Sequence, residues 1–421
     1  MFQFSSVPFI RHAIAVGILG LLVSNGAPFA DGRRCTATSR GRLLSTTVLD
    51  HMTPSQLETY FAEFMIVEAD YIRNDVTPRI EYGADIYKID YCTIDFDGTP
   101  TVASGVLSIP VRQPDQPRHV PSTVLYEHGT SVTRNDTVTN LDVEVTFDGP
   151  TPLVYFTGAG YIYIAADYLG FGESDLPRHR YLHAESEATT VQDLYTAAKR
   201  SAPYRNIVKT DKLFLYGSSQ GGHVSMALQR KFERDPDGPT VTAHATMGGI
   251  YDPEAWLLAL VVQTTGFAAD VPVYPPYIVL TYQDVYHVFN SINSVFQPPL
   301  NTTVEGFYDM SHPFLDVQAA LPTVVTDEFK RTFLHQLTTN ADLPLRVRLR
   351  ENEVFKWTPR APITFFHSLA DDEVPYHLGL EAYNYMRAHG APITLTTLQG
   401  LDHLNTWNHT MPMAIEWFDT F

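Results

Sequence analysis

An apolar run from Lys212 to Tyr216 stops at Gly217-Ser218-Ser219-Gln220-Gly221, and a helical pattern starts at Gly222 and continues to Phe232. No other stretch of the chain restricts its fold as much. A Gly-x-Ser-x-Gly segment between a strand and a helix makes a sharp turn, which holds the central serine in a strained conformation with its hydroxyl above the sheet. Side chains at the flanking glycines would collide with the neighbouring strand and helix. The pentapeptide alone is a weak signal, because a Ser/Gly turn can merely cap a helix. Its placement between a strand and a helix makes it specific.

The same grammar recurs along the chain. Ser122–Tyr126 is a short strand running into Glu127-His128-Gly129-Thr130, and Tyr161–Ala166 runs into Asp167-Tyr168-Leu169-Gly170-Phe171-Gly172. Val241–Met247 ends at Gly248-Gly249, and Ala361–Phe366 and Ile393–Leu398 follow, with a helix from His377 to His389 between them. Ala188–Ala202 has helical spacing, with Val191, Leu194, Tyr195 and Ala198 on one face. Largely apolar strands alternating with helices imply a mostly parallel sheet covered on both faces. Upstream, Thr46–Val67 reads as a helical lead-in, with Pro54 fitting a helix start after Thr53. Asp85–Phe96 and Thr101–Ile109 read as strands around a hairpin turn at Asp97-Gly98. Between Asp252 and Pro359 the alternation gives way to aromatics and prolines, among them Trp256, Tyr274, Tyr277 and Phe296. A structureless loop of that length is uncommon. A helical insertion over the sheet is expected, the alternative being a second domain with a core of its own.

The amino terminus reads as an address. Arg11 and His12 precede the apolar run Ala13–Val23 and the small and turn residues Ser24 to Ala27, the pattern of a secretory signal peptide. The run is short of the roughly 20 residues a spanning helix needs. Export implies a secreted or periplasmic protein in an oxidising compartment, where the only two cysteines, Cys35 and Cys92, can pair. That bridge would close a 57-residue loop, worth about 4 kcal/mol on the chain-entropy model. Two separate thiols are the alternative. The expected division is a signal peptide over 1–26, an extension with the first strands over 27–120, a core over 121–251 and 360–421, and a helical cap over 252–359.

Charge and motif content narrow the function classes. Among 421 residues, 29 Lys and Arg face 47 Asp and Glu, a net charge of −18. That balance argues against a nucleic-acid partner and against anionic membrane surfaces. Gly170-x-Gly172 lacks the third glycine of a dinucleotide site. His179 and His183 stand four apart but without the carboxylate or cysteine cluster of a metal site. Asp309 and His312 read as surface residues. No cofactor, metal or stable protein partner is implied. Asn135, Asn301 and Asn408 open glycosylation tripeptides.

A serine hydroxyl needs a base to remove its proton, and on this architecture the chain order is serine, acid, histidine. The strand Ala361–Phe366 ends in His367-Ser368-Leu369-Ala370-Asp371-Asp372-Glu373-Val374-Pro375, and Ile393–Leu398 ends in Gln399-Gly400-Leu401-Asp402-His403. Asp371 is the expected acid, with Asp372 second, and His403 the expected base, with His409 and His367 weaker candidates. Three candidate groups thus follow three strand ends in the required order. An oxyanion formed at the attacked carbonyl needs two donors. The amide of Gln220, next to the serine, is one; the amide of Thr130, after an early strand, is the other.

On these residues the chain resembles the α/β-hydrolases, in particular secreted esterases and lipases with a helical cap. The matching segments are His128-Gly129-Thr130, Asp167 to Gly172, Gly217 to Gly222, Asp371-x-x-Val374-Pro375 and Asp402-His403. The resemblance implies a mostly parallel sheet with helices on both faces and a cap insertion. It also implies cofactor-free hydrolysis of a small-molecule or lipid ester by Ser219, Asp371 and His403. A secreted serine peptidase on the same fold is the runner-up, and it would need a cap carboxylate such as Glu254, Asp270, Asp284 or Glu305 for a free amino terminus. A catalytically silent binding relative is third, since such relatives usually lack a member of the triad.

Overall fold

The computed structural model of the chain describes residues 35–69, 71–142, 149–262 and 266–421. The expected signal peptide lies outside them. The first half runs β1 (Leu43–Met52), α1 (Pro54–Val67), β2 (Gly83–Ile94), β3 (Pro100–Val111), β4 (Thr123–Glu127), α2 (Thr151–Gly158), β5 (Ile162–Ala166), α3 (Ala184–Ala198), α4 (Ala202–Asn206), β6 (Leu213–Ser218), α5 (Gln220–Arg234) and β7 (Ala243–Met247). Seven helices follow: α6 (Pro253–Val262), α7 (Tyr274–Tyr286), α8 (Leu300–Phe307), α9 (Phe314–Ala320), α10 (Val325–Glu328), α11 (Arg331–Thr339) and α12 (Pro344–Glu351). The chain closes with β8 (Ile363–Ser368), α13 (Tyr376–Ala388), β9 (Ile393–Leu398) and α14 (His403–Phe418).

The described strands form one sheet in the order β1-β2-β3-β5-β4-β6-β7-β8-β9. From β5 to β9 every pairing is parallel, while β1, β2 and β3 form an antiparallel wing that joins the rest through β5. In a parallel sheet all the strand ends of one polarity share an edge. The loops after β4, β6, β7, β8 and β9 therefore gather at one rim, the edge at which residues 130, 219, 371 and 403 all lie. Helices bury both faces of the sheet. One apolar cluster contains Val191, Leu194, Leu228 and Phe365, and the other contains Val124, Tyr216, Trp407 and Phe418.

Two upstream expectations meet different outcomes. The Asp97-Gly98 turn joins β2 and β3 in register, with Gly98 at φ +85°. The helical lead-in, however, starts only at Pro54; residues 46–52 are strand and pair with β2. The cause is local. Pro54 occupies the first helical position and forces Thr53 into an extended conformation (φ −71°, ψ 164°). Thr53 then caps the helix in a capping box with Gln56. The β-branched run Thr46-Thr47-Val48 upstream prefers the sheet.

The segment between β7 and β8 has a core of its own, built on Trp256, Tyr277, Tyr308 and Phe329. That core is continuous with Val132, Tyr181, Leu182 and Val374, which belong to the loops at the strand-end rim. The stretch is thus one helical body whose core runs on into the rim loops. Cys35 and Cys92 form a disulfide, which ties the chain start to β2. Asn408 is wholly buried, and its side-chain oxygen accepts from the Tyr155 hydroxyl at 2.7 Å, which excludes a glycan there in the folded chain. Asn135 is exposed.

Candidate active site

Ser219 stands between the last residue of β6 and the first of α5 with φ +56° and ψ −121°, a conformation rare for any side chain larger than glycine. Two features hold it there. Its amide donates to the Met247 carbonyl at 2.9 Å. Gly221 meanwhile lets α5 press against β4: a Cβ at Gly221 would lie 1.8 Å from the Glu127 carbonyl oxygen. Ser219 itself is only half-buried.

The loop after β8 turns back on its own acid. Asp371 Oδ1 accepts from the amides of Glu373 (3.1 Å) and Val374 (2.8 Å), and its carboxylate receives Nδ1 of His403 at 2.9 and 3.0 Å. His367, on β8, brings Nε2 to 3.3 Å from Asp371 Oδ2 and 2.8 Å from the Val374 carbonyl. Burial would raise the Asp371 acid, but the His403 charge and the hydrogen bonds of His367 and His403 outweigh it. Asp371 is held well below the usual carboxylate range.

His403 opens α14, with Asp402 as the N-cap residue accepting from the Asn405 amide at 2.8 Å. Its own amide donates to Asp372 Oδ1 at 3.1 Å. The two candidate acids thus divide the work: Asp371 holds the ring and Asp372 holds the backbone. At the end of β7, Gly248 has φ +50°, and a Cβ there would sit 2.9 Å from His403 Cε1. Glycine leaves room for the imidazole one residue beyond the carbonyl that anchors Ser219. Burial lowers the basicity of His403, yet Asp371 and Glu373 raise it above the ordinary histidine value. The ring is 2% exposed, and its Nε2 makes no hydrogen bond among the described residues, to Ser219 or to any other group.

The candidate oxyanion donors lie beside this elbow. Gln220 is the first residue of α5, and its side chain is buried, donating to Glu187 Oε1 and His179 Nε2 at 2.7 Å each. Thr130 lies in the loop after β4, where Glu127 pairs with Gly217, and its hydroxyl meets that of Tyr181 at 2.9 Å. Other candidates fall elsewhere. His409 bonds the Asn405 carbonyl one turn along α14. His179 bonds the Leu169 carbonyl, and His183 caps α3. Of the four insertion carboxylates, Glu254 is taken by Arg346 and Arg350 and Asp284 by Arg178, Glu305 is exposed, and Asp270 faces the loop of Asp371.

Comparison with known proteins bears on this arrangement. A putative hydrolase from Legionella pneumophila superposes with a TM-score of 0.80 at 24% identity, over 90% of this chain and 98% of its own. The rice cell wall degrading esterase LipA from Xanthomonas oryzae superposes at 0.74 and 24% identity, over 90% and 96%. The chain has the α/β-hydrolase fold. Candida antarctica lipase A in its closed state shares this hydrolase fold more distantly, at 0.65 and 14% identity over 91% and 82%. Residues 152–273, which contain β6, the elbow and β7, match the family model for serine aminopeptidase, S33. No curated protein matches the chain by sequence.

Two groups at this site are not legible as site residues in the sequence. Glu373 brings Oε2 to 3.9 Å from His403 Nε2, and Tyr274, from the insertion, bonds that same oxygen. Glu373 was in view, two residues after Asp371, but nothing in a loop of acids says which one turns inward. The second group lies under Gln220: Glu187 on α3 accepts from the Leu182 amide and from His223 Nδ1, whose Nε2 bonds the Asn352 carbonyl. Glu187 lies among polar residues in the first turn of α3, where an acid reads as an ordinary helix-start charge.

Proposed function

We propose that the protein is a serine carboxylic-ester hydrolase working through an acyl-enzyme. Ser219 Oγ attacks the ester carbonyl carbon while its proton passes to His403 Nε2. Asp371 holds the ring by Nδ1 and stabilises the imidazolium that forms. The oxyanion takes hydrogen bonds from the amides of Gln220 and Thr130. The intermediate collapses, the C–O bond to the alcohol breaks, and the alcohol leaves with the proton from His403. Water then repeats the sequence on the acyl-serine and restores the enzyme. The apolar, aromatic insertion would supply a pocket for the acyl or alcohol part.

The observation that carries this reading is the setting of His403: buried, fixed at Nδ1 by a buried carboxylate, and left at Nε2 without a hydrogen-bond partner among the described residues, at the same rim as a strained serine elbow. Catalytic hydrogen bonds to the nucleophile commonly close only once substrate is bound. Hydrolysis of 4-nitrophenyl esters of increasing acyl length tests it, with Ser219→Ala as control. The account expects turnover in the parent and a loss of at least about a thousandfold in the variant; full activity in the variant would remove Ser219 from the mechanism.

A peptidase acting at free amino termini is the second reading, favoured by the matching aminopeptidase family model and by Asp270, whose Oδ1 is buried and has no hydrogen-bond partner among the described residues. Cleavage of aminoacyl nitroanilides at rates rivalling the esters would select it. Export is part of the proposal, supported by the Cys35–Cys92 bridge and the amino-terminal pattern. Among the described residues no helix is long and apolar enough to cross a membrane.

A further inference from the structure

Three oxygen-bearing side chains meet on the Nε2 side of His403. The Tyr274 hydroxyl, at the start of α7, lies 2.7 Å from Glu373 Oε2 and 3.0 Å from Asp270 Oδ2. A phenol has one proton to give. It can donate to one of the two carboxyls; the other contact is a hydrogen bond only if that carboxyl carries a proton and donates to the phenol oxygen. Deprotonating the phenol instead is disfavoured, since burial and the two acids push Tyr274 far above its ordinary value. For both contacts to be hydrogen bonds, the Asp270–Glu373 pair must carry one proton. Burial first, then Asp270, raises Glu373 above the usual carboxyl range, and burial raises Asp270 in the same direction.

The cluster is fixed to the acid loop. The Ala268 amide donates to the Asp372 carbonyl and Trp256 Nε1 donates to the Glu373 carbonyl, each at 2.9 Å. Glu373 Oε2 then stands 3.9 Å from His403 Nε2, which has no hydrogen-bond partner among the described residues. Two negative charges on one imidazole, Asp371 at Nδ1 and an ionised Glu373 at Nε2, would keep the ring protonated and useless as a base.

We propose that Asp270, Tyr274 and Glu373 act as one positioning unit that competes with Nε2 of His403 for a single proton, leaving the ring a free base when the cluster holds that proton and an imidazolium when it does not. This rests on the hydrolase reading above. The other titratable groups facing these residues are Asp371 and Asp372 from the loop after β8, His367 from β8, and Tyr181 from the segment before α3. His367 acts on Asp371, and Tyr181 on Tyr274 and Glu373.

The test is the pH profile of kcat/KM for a 4-nitrophenyl ester, read at the midpoint of its acid limb. Glu373→Gln removes the competing charge and keeps a hydrogen-bonding group for Tyr274, so the midpoint should fall by about one pH unit. Asp270→Asn removes the charge that keeps Glu373 protonated, so Glu373 ionises beside the ring and the midpoint should rise. A merely structural role gives no reason for the two variants to move the limb in opposite directions. An unmoved limb in Glu373→Gln, or shifts of the same sign in both, overturns the proposal. If Ser219→Ala is inactive and the limbs do not move, only this inference falls; if Ser219→Ala stays active, the hydrolase reading falls with it.

Discussion

Asp371 and Glu187 are both wholly buried carboxylates with two histidines against them, and they differ in how those histidines are satisfied. Around Glu187 every ring nitrogen is occupied: His179 by the Leu169 carbonyl and Gln220, His223 by Glu187 and the Asn352 carbonyl. Around Asp371, His403 keeps one nitrogen unpartnered. The first cluster braces α3, α5 and the chain after α12 beneath Gln220; the second sits at the strand-end rim beside a half-exposed serine. A buried carboxylate–histidine pair is therefore not in itself a site. What separates the two is a ring nitrogen left without a partner among the described residues.

The comparison breaks most visibly at Asp371. Asp371→Asn would leave the ring without the acceptor that fixes its tautomer, and kcat on a chromogenic ester should fall by about 10⁴, measured with the fold checked by circular dichroism. The matching change at Glu187 should act on stability. Burial raises the Glu187 acid, but the two histidines beside it, His179 and His223, overcome that and hold the group at about 2. A folded-state value below the unfolded one adds stability above the unfolded value, and that stability is lost as pH falls toward 2. Glu187→Gln should therefore cost about 3 kcal/mol in urea unfolding at pH 7, and the gap should narrow steadily between about pH 5 and pH 2. A gap that stays constant with pH would mean that the charge of Glu187 is not what matters.

A smaller effect sharpens the contrast. His367 bonds both Asp371 and the Val374 carbonyl, so it positions the acid without approaching Nε2. Losing one hydrogen bond to a charged group is worth about 1.5 kcal/mol or more, so His367→Ala should lower kcat roughly tenfold with KM nearly unchanged. A larger change in KM than in kcat would assign His367 to substrate binding instead.

The parts of this molecule that could be read from its residues are those set by backbone geometry. The elbow at 217–221 is dictated by steric contacts that only glycine permits, and parallel strands bring their ends to one rim, so Ser219, Asp371 and His403 could be placed by counting strand ends. The start of α1 was equally written in Thr53 and Pro54, although the preceding β-branched run was read as helix. Contacts made through tertiary packing left no pattern. Asp270 and Tyr274 reach the loop of Asp371 across about a hundred residues of chain, through an insertion whose helices follow one another without strand landmarks. Glu187 depends on His179 arriving from the segment before α3 and on Gln220 and His223 from α5. Gly248 was visible only as a strand terminus; that it makes room for an imidazole appears once His403 is in place.

The central claim is that the Ser219 hydroxyl is activated by His403. Treating the folded protein with a fluorophosphonate and mapping the adduct by peptide mass measures this directly. The account predicts one adduct, on the peptide carrying Ser219, and its loss in His403→Ala. An unmodified Ser219, or an adduct that forms as fast without the imidazole, would contradict it.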